Sequence, residues 1–556
     1  MSTIQELIRS GKKEEIWQMC CGFLDLDIEQ FMAIQNRLLL EQIELLNNSK
    51  IGRKIFKGTI PQNVNEFRKR VPLTTYQDYC PELSEKQDDA LPVKPIMWQH
   101  TSGRSTEYPF NWESIKWVPV TAGMSRELAI ASVACAIFAS CKERGDCSAI
   151  KSGVNFIYAV APRPYTSGTY AYIAAQDLDC NSLPPLDQAE KMEMEDRLEL
   201  SFKQAMSKGL DFYFGVAVAL AMIGEKLGQK MGKIDLKSLK MEPSAMLRVL
   251  KGLIKSKLAG RKLLPRDLWS IKGILGSGTD GSIFKDKIYE AWGRYPLNIY
   301  VSTEAGIVAT QTWDYADMTF FPNINFLEFI EEAEYERCKF DKTYIPKAVL
   351  LNEVKAGHKY ELVITNFHGA PLIRYRTGDI VKITGLANEK LGILLPQMDF
   401  HGRVDDIIDI GGFIRLNEKV IWQAISNTGV SYVDWTARKE QEGGGSCLHI
   451  FIEPKEGVID EKKLAVDIYN ELQSMDNDFL YGNVEGVLNT MPLKVTLLPT
   501  GAFEKHINMR RSQGADLAHL KPRHIDPSDQ ELAMLTSAAQ APKMAEKVSV
   551  GTSAAS

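Results

Sequence analysis

The sequence predicts an α/β protein made of a large N-terminal domain of several subdomains and a small, mobile α+β C-terminal domain. Three observations carry this prediction. At 556 residues the chain exceeds what one core normally supports. Helical and strand periodicities alternate along most of its length. The stretch from Ile373 to Glu418 then marks a boundary. An alternating apolar run just before it, Glu361 to Thr365, leads into Arg374, Arg376 and Asp379, and a second run, Ile380 to Ile383, leads away. The polar residues are therefore expected between strands, where sites are usually built. Gly402-Arg403-Val404-Asp405-Asp406 begins a new alternating segment containing Gly411-Gly412. The expected domains are 1–402 and 403–525. Beyond Asp526 the chain is rich in Ala, Ser and Lys and reads as a disordered tail, 526–556.

Composition narrows the function class. A formal net charge of -5 and the lack of an outstanding Lys/Arg run disfavour a nucleic-acid partner. The basic residues from Lys251 to Lys262 recur at helical spacing and read as a solvated helix face. Nine cysteines without C-x-x-C spacing point to reduced thiols, and Cys135, Cys141 and Cys147 read as small buried hydrophobes. The charged N-terminal stretch does not look like a signal peptide. The apolar runs Ala129–Ala139 and Phe212–Ile223 are shorter than the roughly 20 residues that span a bilayer. The expected location is the cytoplasm, with no membrane span; the oligomeric state is left open. No G-x-S-x-G, H-E-x-x-H or dinucleotide spacing is present, so hydrolase, metalloprotease and Rossmann readings lack support.

Taken in order, amphipathic helices are expected at Ile4–Met19 and Asp27–Leu46. A strand around Trp98 runs into a small-residue loop, Thr101-Ser102-Gly103-Arg104-Ser105, whose N–H groups and hydroxyls suit phosphates. A strand at Phe156 and a helix at Glu190–Lys208, ended by Gly209, follow. Tyr158, Tyr165, Tyr170 and Tyr172 are either core or the lining of an acyl pocket. Next come a strand with a glycine-rich turn at Gly276-Ser277-Gly278, a helix at Ile283–Trp292, and the segment Tyr300-Val-Ser302-Thr303-Glu304. Glu328 lies in an apolar strand, exposed or turned into a site. In the small domain, helices are expected at Val420–Ser426 and Glu461–Met475 and strands at Cys447–Glu453 and Lys494–Leu498.

The pair Tyr375-Arg-Thr-Gly-Asp379 and Gly402-Arg403-x-Asp405-Asp406 resembles the acyl-adenylate-forming ligase superfamily. Val71-Pro-Leu-Thr-Thr-Tyr76, Thr101-Ser102-Gly103 and Lys521-Pro-Arg523 resemble, within it, the auxin-responsive acyl-acid amido synthetase branch. Pro371-Leu-Ile-Arg-Tyr-Arg-Thr-Gly-Asp379 also has a phenylacetate-CoA ligase character. Two departures stand out. The phosphate loop lacks the later glycine and lysine, leaving Arg104 or Lys116 to supply positive charge, and Val301 replaces a glycine after Tyr300.

The resemblance implies an ATP-dependent ligase that converts a small carboxylic acid to an acyl-AMP and passes the acyl group to an amine, an amino acid. The alternatives are an acyl-CoA ligase that uses the thiol of coenzyme A, and a nucleotide-binding homologue without catalysis. The implied nucleotide site comprises Thr101, Ser102, Gly103, Arg104, Ser105, Gly276, Ser277, Tyr300, Ser302, Thr303, Glu304, Asp379 and Arg403. Glu304 is the implied Mg²⁺ ligand, since that ion prefers carboxylate and phosphate oxygens. Asp379 can accept both ribose hydroxyls, and Arg403 offers a planar fork. Asp405 is the expected pivot between the domains. Lys521 is the expected catalytic lysine, with Lys505 and Lys494 as competitors.

Overall fold

The computed structural model describes residues 3–101, 116–192, 194–216, 220, 242–277, 281–341, 343–404, 407–410, 414–442, 445–455, 459–474, 493–512 and 523–537. Its contacts divide the chain into two units, Met1–Asp405 and Asp406–Ser556.

In the first unit the strands are β1 (Met97–His100), β2 (Trp117–Val120), β3 (Asn155–Ala159), β4 (Asn181–Leu183), β5 (Phe212–Val216), β6 (Gly273–Ser277), β7 (Pro296–Ser302), β8 (Gly306–Gln311), β9 (Met318–Phe320), β10 (Asn325–Glu331), β11 (Ala348–Leu350), β12 (Lys359–Asn366), β13 (Tyr375–Gly385) and β14 (Gln397–Arg403). β1 and β2 form an antiparallel ribbon. Among the described residues the other twelve join one sheet in the order β11-β10-β12-β13-β14-β9-β8-β7-β6-β5-β3-β4. From β4 to β7 neighbouring strands are parallel, and from β7 onwards they are antiparallel. β7 thus belongs to both halves, and residues at its C-terminal end lie where the sheet changes character.

Parallel strands need cover on their faces. Ala122–Ser140 supplies part of it, a helix capped by Thr121 and buried along Leu128, Val133, Ile137 and Phe138. A Cβ on Gly273 would lie 2.9 Å from Ala139 Cβ, so the glycine lets helix and sheet approach. Among the described residues this is the one helix long and apolar enough to cross a membrane, and it lies in the core. Its apolar character extends beyond Ala129–Ala139 because its N-terminal turns face protein as well.

Several expectations need correction. The first N-terminal helix is two, Ile4–Ser10 and Lys13–Cys21, because Gly11 adopts a left-handed φ of 65° and closes the first on Leu7 and Ile8. Of the three residues expected between strands, Arg374 does lie between β12 and β13, whereas Arg376 and Asp379 lie inside β13. Gly402-Arg403 ends β14 rather than beginning a new segment, and Arg403 stands opposite Asp379 in the β13–β14 register.

The second unit has β15 (Ile407–Ile410), β16 (Ile414–Asn417), β17 (Tyr432–Glu442), β18 (Gly445–Pro454) and β19 (Leu493–Leu497). β17 and β18 are antiparallel, and β19 adds to β18 in parallel. Helices Glu418–Asn427 and Glu461–Ser474 pack Ile421, Ile425, Ile468 and Leu472 against Trp435, Leu448 and Ile450. β17 was not expected from the sequence, since Glu440-Gln-Glu442 dilutes its apolar signal. Nor does the expected tail begin at 526. Asp529–Ser537 is a helix that buries Leu532 and Leu535 beside Phe451, Leu498 and Phe503. Two leucines at helical spacing are enough to dock a short segment that is otherwise polar.

Candidate active site

β7 ends in a turn whose polar groups are almost all tied. The Ser302 hydroxyl accepts the Ala305 N–H at 3.0 Å. The Ser302 carbonyl accepts from Tyr170 Oη at 3.2 Å, that of Thr303 from Gln99 Nε2 at 3.0 Å and that of Glu304 from Asn366 Nδ2 at 2.9 Å. The Thr303 and Thr166 hydroxyls are 2.7 Å apart. Gly306 follows at φ 73°, and a Cβ there would meet Leu128 at 2.9 Å. Four side chains from distant parts of the chain, Tyr170, Gln99, Asn366 and Thr166, therefore hold a loop that offers hydroxyls and one carboxylate.

Two predicted motifs meet here. Tyr300, buried on β7, donates to Asp379 Oδ2 on β13 at 2.7 Å, and its ring lies 5.5 Å from Phe400 of β14. Asp379 is itself only 4 % exposed. A carboxylate carries about four acceptor positions, so the tyrosine leaves capacity for further donors. Beside it, Lys116 Nζ lies 3.4 Å from Glu304 Oε1 and 3.1 Å from Tyr375 Oη, and Tyr375 donates to the same Glu304 oxygen at 3.3 Å. Thr101 is bonded across to Lys116, its N–H donating to the Lys116 carbonyl at 3.1 Å. The strand stems on either side of residues 102–115 thus end near Glu304.

Gly276 on β6 stands between Gly215 and Asn298, two residues before Tyr300 in the neighbouring strand. Ser277 continues that strand, in register with Val216. Ligands of parallel sheets characteristically bind at the C-terminal strand ends, and these residues sit there. Ser102, Gly103, Arg104, Ser105, Gly278, Asp405 and Lys521 lie outside the described residues, and of Arg403 only the backbone is described. Lys505 falls within the helix Ala502–Ser512, not in a loop.

Other candidates serve the fold. Arg374, at φ 44°, pairs with Glu328 through two bonds of 2.9 Å and donates to the Arg68 and Val71 carbonyls. Glu328 is therefore neither exposed nor turned into the site. Arg376 pairs with Glu361 in the same manner. Of the four tyrosines proposed as pocket lining, only Tyr170 lines the apolar cavity of about 100 Å³ between helix Ala122–Ser140 and the sheet. Tyr158 is core beside Arg197, Tyr165 packs on His100, and Tyr172 lies under the Arg163 guanidinium. Burial pushes the Tyr170 phenol up, which keeps it a donor to Ser302. Cys135, also in the cavity wall, is pushed up to about 12 by burial and stays a thiol, as do Cys141 and Cys147.

Gln99, Thr166, Tyr375, Asn366 and Phe400 were not singled out from the sequence. Tyr375 stands inside a quoted motif without having been given a role, and Phe400 adjoins the other. The two amides and Thr166 carry no local signal.

The fold has known counterparts. The fold is shared with a solved acyl acid amido synthetase in complex with 2,4-DB, at a TM-score of 0.66, 17% identity and coverage of 93% of this chain and 95% of that one. It is also shared with 2-hydroxyisobutyryl-CoA ligase in complex with 2-HIB-AMP, at a TM-score of 0.61, 17% identity and 92% of each chain. More specifically, residues 21–195 match the GH3 family N-terminal domain and residues 318–403 match the GH3 family central domain. Sequence relatives include the indole-3-acetic acid-amido synthetase GH3.15 of Arabidopsis thaliana, 28% identical over 37% of this chain and 36% of the relative. Another is the jasmonoyl-L-amino acid synthetase JAR4 of Nicotiana attenuata, 28% identical over 39% and 36%. These alignments span little more than a third of the relatives' length.

Proposed function

We propose that this chain is an ATP-dependent ligase that activates a small carboxylic acid as an acyl-AMP and transfers the acyl group to the amine of an amino acid. The observation that carries this reading is the Tyr300–Asp379 hydrogen bond, which joins the two motifs expected to grip a nucleoside into one buried pair. Its support also includes the matches to GH3 family domains and relatives named as amido synthetases.

In this reading Asp379 accepts the ribose hydroxyls while Tyr300 holds its carboxylate in place. Gly276 lets a flat base approach the backbone, and Arg403 adds a guanidinium fork. Thr101 and Thr303, with Ser102, Gly103, Arg104 and Ser105, face the phosphates. Lys116 sets an ammonium beside Glu304, and Lys521 brings a second positive charge for the adenylation step. Attack of the substrate carboxylate on the α-phosphorus gathers negative charge, so charge neutralisation is the main contribution these residues make. Glu304 fits Mg²⁺, which commonly takes one or two carboxylates and completes its shell with phosphate oxygens and water. When bound, that ion would neutralise phosphate charge. The apolar cavity abutting Tyr170, which bonds Ser302, would take the hydrocarbon part of the acid. We place the reaction in the cytoplasm.

Coenzyme A is the second acceptor we consider, because the fold is shared with a CoA ligase. The test is a panel of aromatic and aliphatic carboxylates assayed for ATP-dependent hydroxamate formation with hydroxylamine. Active acids are then incubated with pooled amino acids or with CoA and the products identified by mass spectrometry. Amide products support the first reading and thioesters the second. No hydroxamate from any acid would leave a nucleotide-binding protein without ligase chemistry.

A further inference from the structure

The helix Pro243–Leu258 is apolar on the wrong side for a helix on a water-facing surface. Its inner face is made of small or short residues, Ala245, Val249, Gly252 and Ser256, all buried. A Cβ on Gly252 would lie 2.9 Å from Leu268 and 3.1 Å from Leu263, so this face is tightly seated. At 100° per residue, Leu247, Leu250, Ile254 and Leu258 fall on the opposite side, in one stripe spaced by three, four and four. They are 52, 53, 53 and 84 % exposed, and Met246 beside them is 49 % exposed. Monomeric proteins rarely leave so many large apolar side chains together in water.

The charge around the stripe has one sign. Lys251, Lys255 and Lys257 are exposed along its length, Lys262 is exposed just past its end, and the helix contains no Asp or Glu. From Glu242 to Lys262 the sequence holds six basic residues and one acidic residue, in a chain whose formal net charge is -5. The lysines therefore do more than solvate a helix face: they rim an apolar surface.

We infer that this outward face docks on an anionic phospholipid membrane, with the helix lying in the interface. The apolar side chains would enter the boundary between headgroups and acyl chains, and the lysine stems would follow them while the ammonium groups reach lipid phosphates and carboxylates. A symmetric second copy fits less well, because a two-fold contact through this face would set the lysines of one chain against those of the other. This reading is independent of the ligase chemistry, as it uses no residue of the candidate active site.

The test is flotation of the full chain with vesicles of phosphatidylcholine alone and of phosphatidylcholine with phosphatidylserine, at low and high salt. Binding is expected to the anionic vesicles only and to weaken as salt rises. Lys251→Glu/Lys255→Glu should weaken it about tenfold or more, since each basic residue near such a surface contributes appreciably. Leu250→Glu/Ile254→Glu should abolish it without changing the melting temperature, because both side chains are already in water. Three results would overturn the inference. One is absence of the wild-type chain from the anionic vesicle fraction. Another is undiminished vesicle binding by the Leu250→Glu/Ile254→Glu variant. The third is a melting temperature lowered by the same variant, or a dimer that it dissociates, which would show the face covered by protein.

Discussion

Asp379 is held by a neighbour: its Oδ2 accepts the Tyr300 hydroxyl at 2.7 Å, and both residues are buried. On the proposed ligase reading, a nucleoside would meet this carboxylate already oriented, which lowers the ordering cost of binding. Tyr300→Phe should therefore raise the apparent KM for ATP by about fivefold, the scale of one net hydrogen bond of about 1 kcal/mol. Asp379→Ala should raise it about thirtyfold or more, since a charged acceptor for two hydroxyls is worth on the order of 2 kcal/mol or above. ATP saturation of the two folded variants checks this ranking, and unchanged saturation in Asp379→Ala would remove the residue from the site. At this scale the sequence was informative where both partners stood in a motif, as Tyr300 and Asp379 do. Lys116 and Glu304 are 188 residues apart, and nothing local to either signals the 3.4 Å contact. Arg374 shows the opposite failure: a conspicuous arginine inside a motif turns away to a buried glutamate on β10.

At the scale of elements, the segment that closes the second unit is held by one imidazole. His524 directs Nδ1 to Glu418 at 2.5 Å and Nε2 to Asp434 at 2.8 Å, and its ring stacks on Trp435 at a centroid distance of 4.7 Å. With both nitrogens facing carboxylates, each must donate, so the ring is an imidazolium. Burial by itself lowers its pKa, but the bonds and charges of Asp434 and Glu418 outweigh burial and raise it from 6.5 to about 9. The sign follows from the raised folded value: the stabilisation is fully present below about pH 6.5 and is lost as pH rises through about 9. The His524 carbonyl accepts the Ala437 N–H at 2.7 Å, and Asp526 N–H returns to the Ala437 carbonyl at 2.9 Å. Release of the imidazole should thus loosen the whole segment from β17. Thermal unfolding of the second unit, followed by Trp435 fluorescence between pH 6.5 and 10, should show a falling midpoint that His524→Gln flattens. A midpoint equally pH-dependent in the variant would assign the effect elsewhere. None of this was legible beforehand, because Glu418, Asp434 and His524 come from three elements and the strand carrying Asp434 had too little apolar alternation to be seen. The sheet strands β7, β12 and β13 were legible, since burial on both faces keeps their apolar runs dense.

For the whole molecule, the two units are cut by contacts after Asp405, not after residue 402. The displacement has a plain cause: Gly402 and Arg403 are still paired to β13, opposite Ile380 and Asp379, so the strand that carries the motif cannot leave the sheet before Val404, whose N–H donates to the Gly378 carbonyl at 2.7 Å. A pivot between the units therefore lies beyond Val404, and Asp405 is the position we propose for it. The ligase reading needs such a pivot, because adenylation and acyl transfer ask for different groups at one site, the Lys521 ammonium in the first step and the acceptor in the second. Proline restricts φ to about -65°, which blocks a rotation at that bond while leaving both units folded. Asp405→Pro should then retain adenylation, measured as ATP–pyrophosphate exchange, within a few-fold of the parent. Transfer from preformed acyl-AMP to the amine should fall by about a hundredfold, the scale of losing correct positioning of a reacting group. Lys521→Ala should show the reverse pattern, losing exchange and sparing transfer, whereas Lys505→Ala should affect both little. Equal loss of both half-reactions in Asp405→Pro would make Asp405 a structural residue and move the pivot to another position.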